Sequence, residues 1–336
     1  MKRVLLSLLF VPFFIACENA IKNEDVEVIQ EEGTEVSEVD IDTSLNSAVA
    51  ALKDENPGVP NAMESIESDN PLIGFWVGYF RKDDEKMGDS YDKNIYAGDV
   101  FYWERENKIN ISIESIEGEK VIGRSIVAGN DRPFEGTVVE EPKGTFTFEL
   151  AEPGDDYYDG EFAFVIKNDK LTGTWEAYKD IDIKYRKYEL EKKHYKYNPD
   201  QDLEYAKTYV DWTNTIESTE TIEYDEGEFE EWISTEYATS THLIYEVNGS
   251  ARLLEKSEVE NMKKGDLTII RNAIYARHGY SFKNRFLRVF FDAQDWYIPV
   301  YTDIRNDFTD IELKNIVLLL KYEKNAAEYY DSFGRG

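Results

Sequence analysis

One cysteine, Cys17, stands in a chain of 336 residues, so no internal disulfide can form and pairing says nothing about redox compartment. Cations are scarce beside acids: 38 Lys and Arg against 69 Asp and Glu leave a formal net charge of −31. Nucleic-acid affinity comes mainly from cations displacing the counterions condensed on phosphates, so a chain this acidic is expected to have no DNA or RNA partner. The surplus reads first as a solvating surface, with cationic partners the remaining electrostatic option. His194 has no second histidine at metal-ligand spacing, and no acidic run has the spacing of an EF-hand. Glu152, Asp155, Asp156 and Asp159 crowd one loop, but acid-rich turns are expected in so acidic a chain. Neither a metal nor a cofactor is expected. Long apolar runs are also missing. The stretch between Val4 and Ala16 falls short of the roughly twenty residues that a membrane-spanning helix needs, and Pro12 interrupts it.

What is present begins with Lys2-Arg3 ahead of that short apolar run, the form of a secretory signal peptide over residues 1–16. The segment Phe14-Ile15-Ala16-Cys17 resembles the lipobox of bacterial lipoproteins, with a small residue before the thiol and Phe14 where Leu is usual. The resemblance implies a diacylglyceryl group on Cys17 and cleavage that leaves it as the new N-terminus. Loss of Lys2 and Arg3 would take the charge from −31 to −33. Acyl chains contribute about 0.8 kcal/mol per buried methylene, enough for several to hold the chain at a membrane. Residues 17–70 are acid-rich with few aromatics and no sustained apolar period, and read as a disordered tether. Lys22-Asn23-Glu24-Asp25 resembles the acidic surface-export signals of some Gram-negative lipoproteins. The expected location is the bacterial envelope, at the outer membrane or cell surface rather than the inner membrane.

From residue 71 to 190 the apolar period becomes two. Ile109, Ile111 and Ile113 alternate with polar residues, as do Phe146, Phe148 and Leu150, then Phe162, Phe164 and Ile166. Turn signals such as Pro142-Lys143-Gly144 and Asn168-Asp169 separate eight or nine such runs, which predicts an antiparallel barrel or sandwich. Gly74-Phe75-Trp76 is similar to the entrance strand of lipocalin-like barrels, which implies an apolar ligand inside; the plainer reading is that Trp76 and Trp175 pack a filled core. Residues 191–247 are irregular and acidic, a connector with one edge strand and a strand-like run at His242-Leu243-Ile244-Tyr245.

Residues 248–332 carry the helical period, giving an α+β chain that ends in a small all-α domain. Ser257 with Glu260, and Thr309 with Glu312, have capping-box spacing, and Asp266 is positioned to cap a second helix. Leu267, Ile270 and Ile274 share one face of that helix, with Gly279 as its left-handed stop. Phe286, Leu287, Phe290 and Phe291 form a shorter amphipathic helix, and Leu313, Ile316, Val317 and Leu320 the stripe of the last.

The run from Arg271 through Tyr275-Ala276-Arg277-His278-Gly279 to Phe282, followed by Phe291, Trp296-Tyr297, Asn315 and Tyr322-Glu323, resembles the YARHG domain. That family occurs in exported bacterial proteins and has no established biochemical role, so the resemblance implies an envelope location and no reaction. Arg277 and His278 at a helix C-terminus suit the helix dipole. Alternatively Arg271, Tyr275, Arg277 and His278, with Trp296 and Tyr297, line a pocket for a carboxylate or sugar, because guanidinium pairs bidentately with carboxylates. His278 has no nucleophile or metal partner at a telling spacing, so no catalytic residue is assigned. The expected function is a non-catalytic envelope lipoprotein binding a cell-wall or periplasmic component. An envelope hydrolase and a carrier of an apolar ligand are the alternatives.

Overall fold

The computed structural model describes residues 68–88, 95–97, 101–224 and 228–326. The signal peptide, Cys17 and nearly all of the tether lie outside the described residues. Eight antiparallel strands close into a barrel: β1 (Gly74–Lys82), β4 (Asn107–Glu117), β5 (Lys120–Val127), β6 (Asn130–Glu141), β7 (Thr145–Ala151), β8 (Gly160–Lys167), β9 (Lys170–Ala177) and β10 (Tyr185–Lys193). Each pairs with the next, and β1 joins both β4 and β10, so no edge strand is left open. Of the two expected architectures the barrel is found. Between β1 and β4 the chain makes a one-turn helix α1 (Asp84–Met87) and a small ladder of β2 (Ile95–Ala97) with β3 (Phe101–Trp103).

The inward parity is the one that the alternation predicts. Ile109, Ile111 and Ile113 have no exposed surface, and Phe148, Leu150, Phe162, Phe164 and Trp76 fill the interior with them. Trp76 donates its indole N–H to the Leu72 carbonyl at 3.0 Å, so its one polar atom is satisfied inside the apolar core.

Alternation fails on the outer face of β4. Lys108, Asn110 and Ser112 point away from the barrel yet are buried, and the C-terminal region covers Lys108 and Asn110. Lys108 Nζ donates to the Gln294 and Tyr297 carbonyls at 2.6 and 3.1 Å, and Asn110 to the Pro299 carbonyl at 3.0 Å. Beside them Phe75 and Val77, on the outer face of β1, pack against Ile298 and Val300. The barrel and the helical region thus share a buried seam, polar in one strip and apolar in the next.

The connector holds more structure than one edge strand. It forms a long hairpin of β11 (Val210–Tyr224) and β12 (Glu228–Thr239), and the run at His242–Tyr245 is a 3-10 turn rather than a strand. Thr241 accepts from the Leu243 N–H, and this capping competes successfully with the β preference of the segment.

The helices are α2 (Lys256–Val259), α3 (Lys264–Arg277), α4 (Arg285–Asp292) and α5 (Asp310–Asn325). Two caps differ from expectation. The N-cap of α2 is Glu255, two residues before Ser257, with Glu258 accepting from its N–H at 2.7 Å. Asp266 lies inside the first turn of α3, accepting from the Lys263 N–H at 3.2 Å, and also takes the Thr241 hydroxyl at 3.1 Å. The Thr309–Glu312 box forms as expected. In α5 the buried stripe is Leu313, Ile316 and Leu319, while Leu320 is exposed. Helix α3 is apolar on more than one face because it sits at the centre, with Ile269 and Ala273 as fully enclosed as Leu267 and Ile270. Among the described residues no helix is long and apolar enough to cross a membrane.

Candidate ligand cavity at the barrel end

The expected pocket of Arg271, Tyr275, Arg277 and His278 does not form; each of these side chains is bonded inward. Arg271 clamps Glu323 of α5, Nε to one carboxylate oxygen at 2.8 Å and Nη2 to the other at 3.1 Å. Tyr275 packs edge-on to Phe308. Arg277 donates Nε to the Gln201 carbonyl at 2.7 Å. His278 is sealed between the stacked ring of Tyr197 and the edge of Phe308, with Nε2 2.8 Å from Glu312. Burial raises the Glu312 carboxyl, but the hydrogen bond and charge of His278 and the Thr309 N–H outweigh it, so the net shift is downward. Tyr297 is buried with its hydroxyl on the Tyr280 carbonyl at 2.7 Å. Arg277 and Trp296 meet at a common groove of about 530 Å³ that Tyr195 and Tyr197 also line.

Two further residues of the motif region are also structural. Asn315, fully buried, accepts from the Leu254 N–H and donates to the Gly249 and Arg252 carbonyls, stitching the loop before α2 onto α5. Gly279 has φ +71°, and a Cβ there would lie 3.2 Å from the Tyr195 ring and from Val300. The motif therefore needs glycine twice over, for conformation and for space.

A second open volume lies at the barrel end. One end of the barrel stops short of being filled, leaving a cavity of about 340 Å³ roofed by α4. Its apolar walls are Phe80, Trp103, Phe162 and Trp175. Its cations are Arg105, Arg132, Arg186, Arg285 and Arg288, facing a single lining carboxylate, Glu152. The strand parity explains how they arrive. Arg186 precedes Tyr188 and Leu190 by two and four residues on β10, and Arg132 precedes Phe134 by two on β6, so both share the inward side.

These arginines fall into two groups. Arg132 pairs with Asp156 and Asp159, each at 3.1 Å, and Arg105 with Asp182 at 3.6 Å. Among the described residues Arg186, Arg285 and Arg288 have no carboxylate within ion-pair distance. Arg186 instead lies over the Phe80 ring at 4.8 Å, and Arg285 and Arg288 over Trp103 at 5.8 and 6.0 Å. Arg186 spends one donor on the Phe80 carbonyl and Arg288 one on the Lys283 carbonyl; the Arg288 Nε–H finds no acceptor. Burial first, then the charges of Arg105 and Arg288, push the Arg186 guanidinium down to about 9.

Glu152 closes the floor. It accepts from the Ser125 hydroxyl at 2.9 Å, the Gly160 N–H at 2.7 Å and the Trp175 indole N–H at 3.3 Å. Burial outweighs these bonds and raises its carboxyl to about 6. Gly160 permits the arrangement, since a Cβ there would fall 2.7 Å from the Trp175 ring. The acidic loop of Glu152, Asp156 and Asp159 thus serves as internal acceptors and ion-pair partners. Among the described residues no group of three or more His, Cys, Asp or Glu converges as metal ligands do.

Sequence reasoning missed Arg186, Arg288 and Glu152 as a set. The available signal was arginine at an inward parity next to aromatic residues, which a filled barrel would not tolerate. No curated protein and no solved structure matches the chain. The helical region does match a family model, from the 3-10 turn six residues ahead of the expected boundary to the end of α5. Residues 242–324 are a YARHG domain; within it Arg271 and His278 bond Glu323 and Glu312 of α5, while Arg277 reaches Gln201 outside it.

Proposed function

We propose that this chain is a non-catalytic, lipid-anchored protein of the bacterial cell envelope that binds a cell-wall or periplasmic component in the barrel-end cavity. The observation that carries the reading is the cavity itself, an unfilled, aromatic-walled volume lined by Arg186, Arg285 and Arg288, which have no carboxylate within ion-pair distance among the described residues. Arg271, Tyr275 and His278 are engaged internally, which favours the barrel mouth as the binding surface, where α4 contributes Arg285 and Arg288. The lipid anchor rests on Cys17 and the residues before it.

Neither alternative draws comparable support. Glu152 is the one carboxylate among the lining residues, so hydrolysis by paired carboxylates lacks its second member there. A carrier of a purely apolar ligand fits poorly with five arginines around the opening.

The test uses the intact protein and solubilised cell-wall fragments in a calorimetric titration, with Ile181→Trp as a variant that fills the cavity from its wall. Saturable binding that Ile181→Trp abolishes supports the reading. Fragments that do not bind, or that bind the variant equally well, end it.

A further inference from the structure

Counter-charges are distributed unevenly in this molecule. Ion pairs such as Arg271–Glu323, Arg124–Glu114 and Arg252–Glu258 consume cations elsewhere. In a chain of net charge −31 acids are in surplus, yet among the described residues none pairs directly with Arg186 or Arg288, and Asp292, one turn along α4, acts on Arg288 only through its field. Both side chains are half-buried, and a guanidinium even partly withdrawn from water without a carboxylate costs free energy that a protein ordinarily avoids by pairing. Aromatic faces hold these two in place, because a ring under the guanidinium plane attracts it while leaving its edge N–H groups unused. Of five donors, Arg186 uses one on the Phe80 carbonyl, so its fork is set and largely unspent.

We infer that the cavity takes an oxyanion, a carboxylate or a phosphate carried on a flat or apolar body, gripped by Arg186 and Arg288 against Phe80 and Trp103. This rests on the reading that the cavity is a ligand site. The planar donor fork matches both oxyanions bidentately, and the aromatic walls supply contact for the remainder of the ligand. Burial, and then the charges of Arg105 and Arg288, lower the Arg186 guanidinium, with no acid among the causes; burial also lowers Arg288, partly countered by Asp292. The acid excess of the rest of the chain does not prevent entry, since at physiological salt its field decays within about 8 Å.

The experiment compares phenyl phosphate, benzoate and neutral benzamide as probes on the intact protein, following the melting midpoint at constant ionic strength. At roughly five times Kd an oxyanion probe is expected to raise the midpoint by about 3 °C, with benzamide silent. The stronger of phenyl phosphate and benzoate assigns phosphate or carboxylate. Arg186→Gln and Arg288→Gln are each expected to weaken binding at least about thirtyfold. Arg252→Gln, at an exposed pair with Glu258, leaves it unchanged. Should Arg186→Gln fail to fold, Arg288→Lys keeps the charge, removes the fork and is expected to bind more weakly than wild type. Benzamide matching benzoate overturns the anion while leaving the ligand site intact. Silence from all three probes overturns the anion as well, and the cell-wall titration then shows separately whether the cavity binds anything. Oxyanion binding without cell-wall binding has the opposite meaning: the anion stands and the proposed partner falls.

Discussion

His278 and Glu312 are joined Nε2 to Oε2 at 2.8 Å with 1% and 0% of their side chains exposed, the most enclosed histidine–carboxylate contact among the described residues. The same carboxylate accepts the Tyr197 hydroxyl at 3.0 Å and the Thr309 N–H at 2.9 Å, so one side chain ties α3, α5 and the segment leaving the barrel. Breaking such a pair leaves the other member buried without its partner, a cost of about 3–5 kcal/mol. Glu312→Ala is therefore expected to lose that much in urea unfolding, and Tyr197→Phe only about 1 kcal/mol. A loss below 1 kcal/mol for Glu312→Ala would mean that the contact does not hold the domain.

The same carboxylate sets an acid limit. Its folded pKa lies below the ordinary glutamate value, so its stabilisation is complete above that ordinary value and is lost as pH falls through the folded one. Unfolding measured between pH 6 and 3 should show a steeper loss in wild type than in Glu312→Gln.

Glu152 runs the other way. Its carboxyl is raised from 4.5 to about 6, so the folded state holds the proton longer than the unfolded chain does. Stability from this group accordingly falls as pH rises from 4.5 to 6, by about 2 kcal/mol in total. Glu152→Gln should flatten the profile in that window. An unchanged slope would show that the carboxyl titrates normally.

Gly279→Ala is expected to cost about 1–3 kcal/mol from positive φ and the close approach to Tyr195 and Val300. Gly144→Ala, at φ +68° with nothing within 4 Å, carries the backbone part alone. The two melting curves should differ by the contact term, with Gly279→Ala the lower. Equal losses would remove the claim that space matters there.

Lys108 reports on the seam between barrel and helices. Burial lowers its ammonium to about 8, partly countered by Asp292 and Asp295. The unfolded chain holds this proton more tightly, so stability rises with pH between about 8 and 10.5. Lys108→Met should abolish that rise; a persisting rise would assign it to another group.

The barrel was legible because its core obeys a strict period of two: Ile109, Ile111 and Ile113 pointed inward as their alternation required. The helical domain was legible from Thr309, Gly279 and the apolar residues of α3. The seam was not, because Lys108 and Asn110 look like ordinary solvent-facing strand residues until another domain covers them. The cavity was obscured for a related reason. Arg186 reads as a surface cation in a stretch that also holds Lys184 and Lys187, and only closure of the barrel turns it inward. The signature residues misled in the opposite sense. Arg271 and His278 have the chemistry of a binding site, yet Glu323 and Glu312, some 52 and 34 positions along the chain, arrive to occupy them.

The most direct measurement is a crystal structure of the protein grown with selenate, a tetrahedral oxyanion whose selenium scatters anomalously. The account predicts an anomalous peak inside the barrel end, its oxygens about 2.7–2.9 Å from the guanidinium nitrogens of Arg186 and Arg288. A cavity without selenate, with both arginines turned onto carboxylates of the protein itself, would contradict it.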